Sequence, residues 1–393
     1  MAILRGLPDT PRRVAWLHFL NDLTLDFLTP LLPGAVGVAW IGLMEGLADA
    51  AGHVLKVVSG RRSDATGERV FWVRTGYTAN AFARPLAAIG LALGWPVWVV
   101  ICRVGDRIGK GLRGSATDAL VADWTEGKVR EQAFSAMRIL DHWGATLGAL
   151  LAAAVAWFAP TRIPVAVGLL AFPALWVAFL GRGLRDTPRT VSQPKTEPIS
   201  ADPVSPGWWP RSPRLVRPLL AISLASSGTK LSPLLVLLPA VGLASGSLHR
   251  APLWALCLGW AALGVVQAVS ATVSGALLNR FGAVRLLRGG WAFGGVVFAL
   301  LAWSWGPWLW LAGLGWGALS GATEGAEKAL LSQLAPMEER ALSFGALALV
   351  SAGGAIVGSG MCGLGLERWG AMVFAIPGIL LILGAFVLND GPQ

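Results

Sequence analysis

The chain has little charge and almost no cysteine or tyrosine. Only 14% of its 393 residues are charged, against about 25% in an ordinary soluble domain. Its three cysteines, Cys102, Cys257 and Cys362, are scattered through apolar segments, which argues against a disulfide framework or a cysteine metal site. One tyrosine beside 20 tryptophans indicates interface anchors and lipid-facing bulk rather than an aromatic cage. This composition is typical of a membrane protein.

Long apolar segments supply most of the hydrophobic residues, which make up 54% of the chain. A helix that crosses a bilayer needs about 20 apolar residues. With the charge-dotted segments included, the sequence predicts an all-α membrane protein of twelve spans. The predicted spans are 13–35, 37–59, 70–93, 96–123, 132–157, 163–181, 215–240, 252–278, 286–304, 307–334, 341–366 and 369–389.

The net charge of +10 indicates topology rather than nucleic-acid binding. Nearly all loop arginines and lysines fall on one side of the twelve-span order, and the other side's loops hold only Arg162, Arg250 and Arg368. The side with the excess of positive charge faces the cytoplasm. We therefore expect a multi-pass protein of the cytoplasmic (inner) membrane, with both termini in the cytoplasm, lipid around it and no nucleic-acid partner.

The chain divides into two similar halves, 1–181 and 215–393. Between them, 182–214 is rich in proline, serine and arginine, which is typical of a linker, here a cytoplasmic one. Two repeats in the same orientation indicate a parallel six-helix duplication. The matched positions are Gly60 with Gly275, Asp64 with Asn279, Gly67 with Gly282, Gly144 with Gly354, and Gly148 with Gly358.

These features resemble the major facilitator superfamily over nearly the whole chain. The family's signature between the second and third helices, G-x-x-x-D-x-x-G-R-R, resembles Gly60, Asp64, Gly67 and Arg69, with Glu68 in place of the first basic residue. The resemblance implies two parallel-repeat six-helix bundles and a gating role for those four residues, which latch the cytoplasmic side in the outward-facing state.

The resemblance also implies a function. It is that of a monomeric secondary active transporter, not an enzyme, that works by alternating access on a small-molecule substrate without a cofactor. More narrowly, MEGLADA and DRIGKGLRGSATDALVAD resemble a bacterial branch of unassigned substrate.

One face of the fourth predicted helix is polar and mostly basic. Arg103, Arg107 and Lys110 fall within an arc of about 60°, and each charge at a span's centre costs about 2.5–3.5 kcal/mol. Arginine is suited to bidentate capture of carboxylate or phosphate, so we predict that this face binds a small anionic or zwitterionic solute. The resemblance implies that the first, seventh and tenth helices also line the cavity, where the candidates are Asn21, Lys230 and Glu324.

Four carboxyl groups on the first two predicted helices are candidates for proton coupling: Asp22, Asp26, Glu45 and Asp49. A carboxyl group that must lose its proton before the carrier resets couples the solute to the proton gradient. Asp22 is the first choice because it lies near mid-span. The alternative is that Asp22 only neutralises Arg103 or Arg107, as part of a mutually paired scaffold. A relay through His142 beside Asp141 is also open.

Other functions remain open on sequence alone. Asp22, Asp26 and His18 could carry a divalent metal ion outward, although the facing bases would repel it; efflux of drugs is a further alternative, as is a receptor. An intramembrane lipid-headgroup enzyme requires G-x-x-x-D-x-x-x-D. Gly114 and Asp118 fit this motif, but the next acid, Asp123, comes one residue late and is turned by about 100°. We expect no catalytic residues and no resident metal.

Overall fold

A computed structural model describes residues 4–36, 38–186, 210, 212–241, 253–303, 306–335 and 340–388. These residues form helices joined by short turns. The α-helices are α1 (Asp9–Leu28), α2 (Val38–Thr66), α3 (Arg69–Leu93), α4 (Pro96–Asp123), α5 (Gly127–Phe158), α6 (Ile163–Gly168), α7 (Ala171–Arg182), α8 (Pro213–Thr229), α9 (Pro233–Leu237), α10 (Leu253–Phe281), α11 (Ala283–Trp303), α12 (Pro307–Leu334), α13 (Arg340–Trp369) and α14 (Ala375–Val387).

The fourteen helices make twelve spans, which confirms the predicted fold class. Helices α6 and α7 form one span, and α8 and α9 form another that is bent by 53°. The bend precedes Pro233, whose ring cannot donate the backbone hydrogen bond that would continue α8. The predicted linker 182–214 lies mostly outside the described residues.

Not every span is apolar enough to be recognised as one by itself. Five helical stretches are long and apolar enough to cross a membrane, and the number is six if the bent pair counts as one span. Helices α1 to α4 and α12 are not among these stretches, and each of them carries charged side chains along its length. The five stretches are Gln132–Phe158, Pro160–Arg182, Leu253–Leu278, Ala283–Trp303 and Ser343–Val387.

Helix α2 runs about two turns further than its predicted end at residue 59, so Gly60 lies inside the helix rather than in a loop. The helix stops at Gly67, which has a φ of 73° and donates its N–H to Ser63 O at 2.9 Å. Gly282 ends α10 in the same way, with a φ of 78° and the same bond to Leu278 O. A left-handed residue at a helix end favours glycine, which explains why this pair recurs in both halves.

The second pair of recurring glycines sets two helix crossings. A Cβ on Gly148 of α5 would lie 2.2 Å from Leu23 O of α1, and a Cβ on Gly358 of α13 would lie 2.0 Å from Ser227 O of α8. Glycine allows helix backbones in a membrane to approach this closely. The predicted duplication therefore corresponds to one packing arrangement used twice.

The two halves meet on one side of the membrane. We call the side where α1 begins the basic side, and in the described ranges the closest contacts between the halves lie opposite it. Gly42 of α2 and Gly363 of α13 are so close that a Cβ on Gly42 would lie 2.6 Å from Gly363 Cα. The rings of Trp157 and Trp254 meet edge to face at 4.8 Å. The halves are therefore joined on the opposite side.

Gly358→Ala should destabilise the protein by about 1–3 kcal/mol, because the added methyl group overlaps the α8 backbone. The measurement is the melting temperature of the purified protein in detergent. Gly353→Ala in the same helix is the matched control, since a Cβ there meets no atom within 4 Å. Equal melting temperatures for the two variants would contradict the packing described.

Candidate functional site

Arg103 and Glu45 form a pair that is closed off from solvent. Arg103 of α4 donates from Nε and Nη2 to the two carboxylate oxygens of Glu45 on α2, at 2.6 and 2.9 Å. Each side chain is only 1% exposed, and Arg103 also donates to Thr29 Oγ1 at 3.2 Å. Two parallel charge-assisted hydrogen bonds are among the strongest contacts available to buried charges. Each of these two buried charges is therefore neutralised by the other.

A second buried pair joins α3 to α4. Arg84 Nε donates to Asp106 Oδ1 at 2.7 Å, and Asn80 Nδ2 donates to the same oxygen at 2.7 Å. Arg84 also donates to Thr24 Oγ1 at 2.5 Å and to the backbone oxygen of Asn21 on α1. Arg84 and Asp106 were not among the predicted site residues, although a charge inside a span was the signal that marked them.

Arg107 and Lys110 are less completely enclosed than Arg103. Arg107 is 12% exposed, and its Nε lies 3.0 Å from Asp49 Oδ1 without the alignment that a hydrogen bond requires. Its Nη2 lies 3.6 Å from Glu45 Oε2. Lys110, one turn further along α4, is exposed and forms no ion pair with the residues the structure describes. These two cations retain hydrogen-bonding capacity.

The C-terminal half faces them with fewer charges. Lys230, where α8 breaks, donates to Glu327 Oε2 of α12 at 2.9 Å, and Glu324 pairs with Lys328 at 2.7 Å on an exposed turn of α12. The ion pairs described for the C-terminal half thus lie at the end of α8 and on α12.

Asp22 forms no ion pair with an arginine among the described residues. It accepts a hydrogen bond from Asn21 Nδ2 at 2.6 Å. His18 Nδ1 lies 2.8 Å from Asp141 Oδ1. The arginines that sequence reasoning offered as partners of Asp22 are held instead by Glu45 and Asp49.

The partnership of His18 with Asp141 was missed, because only His142 was considered beside Asp141. The two partners are 123 residues apart. A usable signal existed in α5, where Asp141, Gly144 and Gly148 share one face at helical spacing. Since that face packs against α1, it brings Asp141 to His18.

Asp26 links the two halves. Trp260 of α10 donates its indole N–H to Asp26 Oδ1 at 2.7 Å, and Asp26 is 8% exposed. This hydrogen bond lies on the side where the halves are joined. Nothing in the sequence pairs these two residues.

The predicted gating residues lie at the basic side. Arg69 Nε donates to Asp123 Oδ2 at 2.5 Å and ties the start of α3 to the end of α4. A Cβ on Gly60 would approach Ser115 of α4 at 3.1 Å. The side chain of Asp64 lies outside what the structure describes. Among the described residues, no three His, Cys, Asp or Glu side chains come together as a metal site.

The chain is similar in sequence to one known family and to two mycobacterial proteins. A family model described as the Major Facilitator Superfamily matches residues 14–262. An uncharacterized protein of Mycobacterium tuberculosis is 28% identical over 347 residues, which cover 84% of this chain and 80% of that protein. An uncharacterized protein of Mycobacterium bovis matches to the same extent.

Solved transporter structures share the fold. A D-xylose-proton symporter superposes with a TM-score of 0.68 at 16% identity, covering 96% of this chain and 95% of that one. A nucleoside transporter gives 0.73 at 13% identity, with 96% and 98% covered. A bacterial homologue of the iron transporter ferroportin in its inward-facing state gives 0.68 at 16% identity, with 96% and 97% covered. At these identities the likeness is one of fold.

Glu45→Ala should cost about 3–5 kcal/mol of stability, because it leaves the Arg103 guanidinium buried without its carboxylate. Thermal melting in detergent measures the loss. Glu324→Ala is the control: its ion pair is exposed and contributes about 0.3–0.5 kcal/mol. The double change Glu45→Met with Arg103→Met should recover much of the loss. If Glu45→Ala melts like the wild-type protein, the pair is not part of the scaffold.

Proposed function

The chain belongs to the Major Facilitator Superfamily and is a multi-pass secondary transporter, and we propose that it carries a small anionic or zwitterionic solute with proton coupling. On the positive-inside rule the basic side is cytoplasmic, so both termini lie in the cytoplasm of a cell with an inner membrane. The halves are then joined at the outer face, and the interior opens inward.

The observation that carries the substrate class is the unfilled hydrogen-bonding capacity of Arg107 and Lys110. Both cations project from α4 into the interior, one without an aligned hydrogen bond at Nε and the other without an ion pair to a described residue. A guanidinium with an ammonium one turn away suits a carboxylate or phosphate group. Arg103 belongs to the same binding face and acts through Glu45, which fixes α2 against α4.

The remaining members of the proposed binding set surround these two cations. Asn21 lies on α1 beside Asp22, while Lys230 and Glu324 belong to the half that moves relative to α4. In this proposal the carboxylate of Glu324 binds the ammonium group of a zwitterion. Closure of the halves at the basic side would bring Lys230 and Glu324 toward the solute.

Arg107→Lys keeps the charge and loses the planar fork, so solute binding should weaken by about tenfold or more, as expected for a charge-assisted hydrogen bond. Binding is measured by thermal shift and calorimetry with a panel of small carboxylates, phosphate esters and amino acids. Arg138→Lys, at an exposed position on α5, is the matched control. If a bulky cationic dye is carried equally by the wild type and by Arg107→Ala, the anion assignment is wrong.

Proton coupling is assigned to Asp22, with Asp26, Glu45 and Asp49 as partners. Asp22 lies one helical turn from His18, whose ring contacts Asp141, and carboxyl groups gathered in a poorly hydrated space cannot all remain ionised at low cost. Glu45 and Asp49 are held by arginines and contribute by positioning those arginines. A proton on Asp26 would turn its charge-assisted bond with Trp260 into a weaker neutral one, which favours opening of the joined side.

Asp22→Asn should abolish accumulation driven by a proton gradient while preserving exchange of solute, because exchange needs no net proton release. Uptake and counterflow in proteoliposomes separate the two activities. Asp118→Asn, an exposed acid on α4, should change neither. If both activities fall together in Asp22→Asn, and a second change at Arg103 or Arg107 restores both, Asp22 is a structural partner.

Gating is assigned to Gly60, Asp64, Gly67 and Arg69. Gly67 ends α2 and Arg69 begins α3, so this turn is fastened to α4 through Asp123. The close packing of Gly60 against Ser115 lets α2 approach α4 just before the turn. A turn fixed in this way within one half can present a latch to the other half when the basic side closes.

A further inference from the structure

A groove of about 490 Å³ lies between α11 and α14, outside the interior site. It sits at the basic side, where α11 begins and α14 ends. Its lining is basic at one end and otherwise apolar or small: Arg285, Arg288, Gly289, Ala292, Ile382, Ala385 and Phe386. The hydrogen bonds and ion pairs described above for α1 to α5 are made by other residues.

Two arginines mark the membrane boundary of this groove. Arg285 is exposed and Arg288 is half-buried, and three residues apart on a helix they lie on the same face. Both fall within the first six residues of α11, which at about 1.5 Å per residue places them within about 9 Å of the helix start. A 21-residue helix is about as long as the hydrocarbon core is thick, so the two Cα atoms lie at or just inside the membrane boundary. Long arginine side chains on a helix point back toward its N-terminus, which here is the headgroup level.

The rest of the groove is suited to hydrocarbon. Phe386 is 73% exposed and Ile382 is 41% exposed, so an apolar wall continues inward from the arginines. Opposite this wall, a Cβ at Gly289 would meet no atom within 4 Å, which leaves room beside the α11 backbone. The groove therefore has two positive charges at its basic-side end and an apolar surface further into the membrane.

We propose that this groove binds an anionic phospholipid, with the phosphate at Arg285 and Arg288 and the upper part of an acyl chain against Phe386. Basic pockets between spans on the positively charged side of a membrane protein favour anionic headgroups. The ammonium group of a zwitterionic lipid would be repelled by the same arginines. A lipid bound there contacts α11 and α14 together and fastens the last span to the bundle.

The test uses the purified full chain in detergent, with phosphatidylglycerol or phosphatidylcholine added. Native mass spectrometry should show retained phosphatidylglycerol adducts, and phosphatidylglycerol alone should raise the melting temperature, because a ligand that binds the folded state stabilises it. Arg285→Ala combined with Arg288→Ala should weaken adduct retention by about tenfold or more. Arg214→Ala with Arg217→Ala, at exposed positions on α8 outside the groove, is the charge-matched control.

A second variant, which blocks the groove without changing its charge, tests the proposal even if the arginine substitutions disturb folding. Ala292→Trp fills the groove without altering charge and should abolish the phosphatidylglycerol adducts. Equal retention of the two lipids, or equal loss in the control variant, would show attraction by general surface charge and overturn the proposal. A dimer that Ala292→Trp converts to a monomer would overturn it too, because a second copy would then occupy the groove.

Discussion

A charge inside a bilayer must be met by an opposite charge or by water, and the arrangement of the N-terminal half follows from that constraint. Arg103 and Arg84 are satisfied by Glu45 and Asp106 in contacts that exclude solvent, and these pairs join α2, α3 and α4 at mid-membrane. Since every partner comes from a different helix, no helix can rotate alone without exposing a charge. The paired charges thereby define which face of α4 is left for Arg107 and Lys110.

The duplication and the charges have separate roles. Recurring glycines end α2 and α10 alike and set the close crossings of α1 with α5 and of α8 with α13. In the C-terminal half the same framework carries few interior charges, chiefly Lys230 and Glu327. Because the glycine crossings do not depend on ion pairs, the two copies can differ in charge. The N-terminal half therefore carries most of the buried ion pairs, and the C-terminal half carries few.

Most of the fold could be predicted from the sequence, because apolar length and glycine spacing are local properties. The polar face of α4 was predictable for the same reason. The partners of these charges were not predictable: Glu45 and Asp49, which are predicted candidates for proton coupling, each lie against an arginine that their own helix does not reveal. Likewise, His18 and Asp141 come together because Gly144 and Gly148 bring α5 against α1. Helical spacing puts Asp141 and the two glycines on one face but does not identify the helix that packs there.

The hydrogen bond between Asp26 and Trp260 joins the two halves and involves one of the carboxyl groups proposed for proton coupling. The buried arginine pairs lie within one half, so rocking of the halves leaves them intact. The bond from Trp260 to Asp26 crosses between the halves and must break if the joined side opens. Asp26 lies one turn from Asp22 on α1. In the coupling mechanism proposed above, a proton at this pair would change both the charge beside the solute and the strength of the contact between the halves. The proposed coupling would need no long pathway, because Asp22 and the bond between the halves are on adjacent turns of one helix.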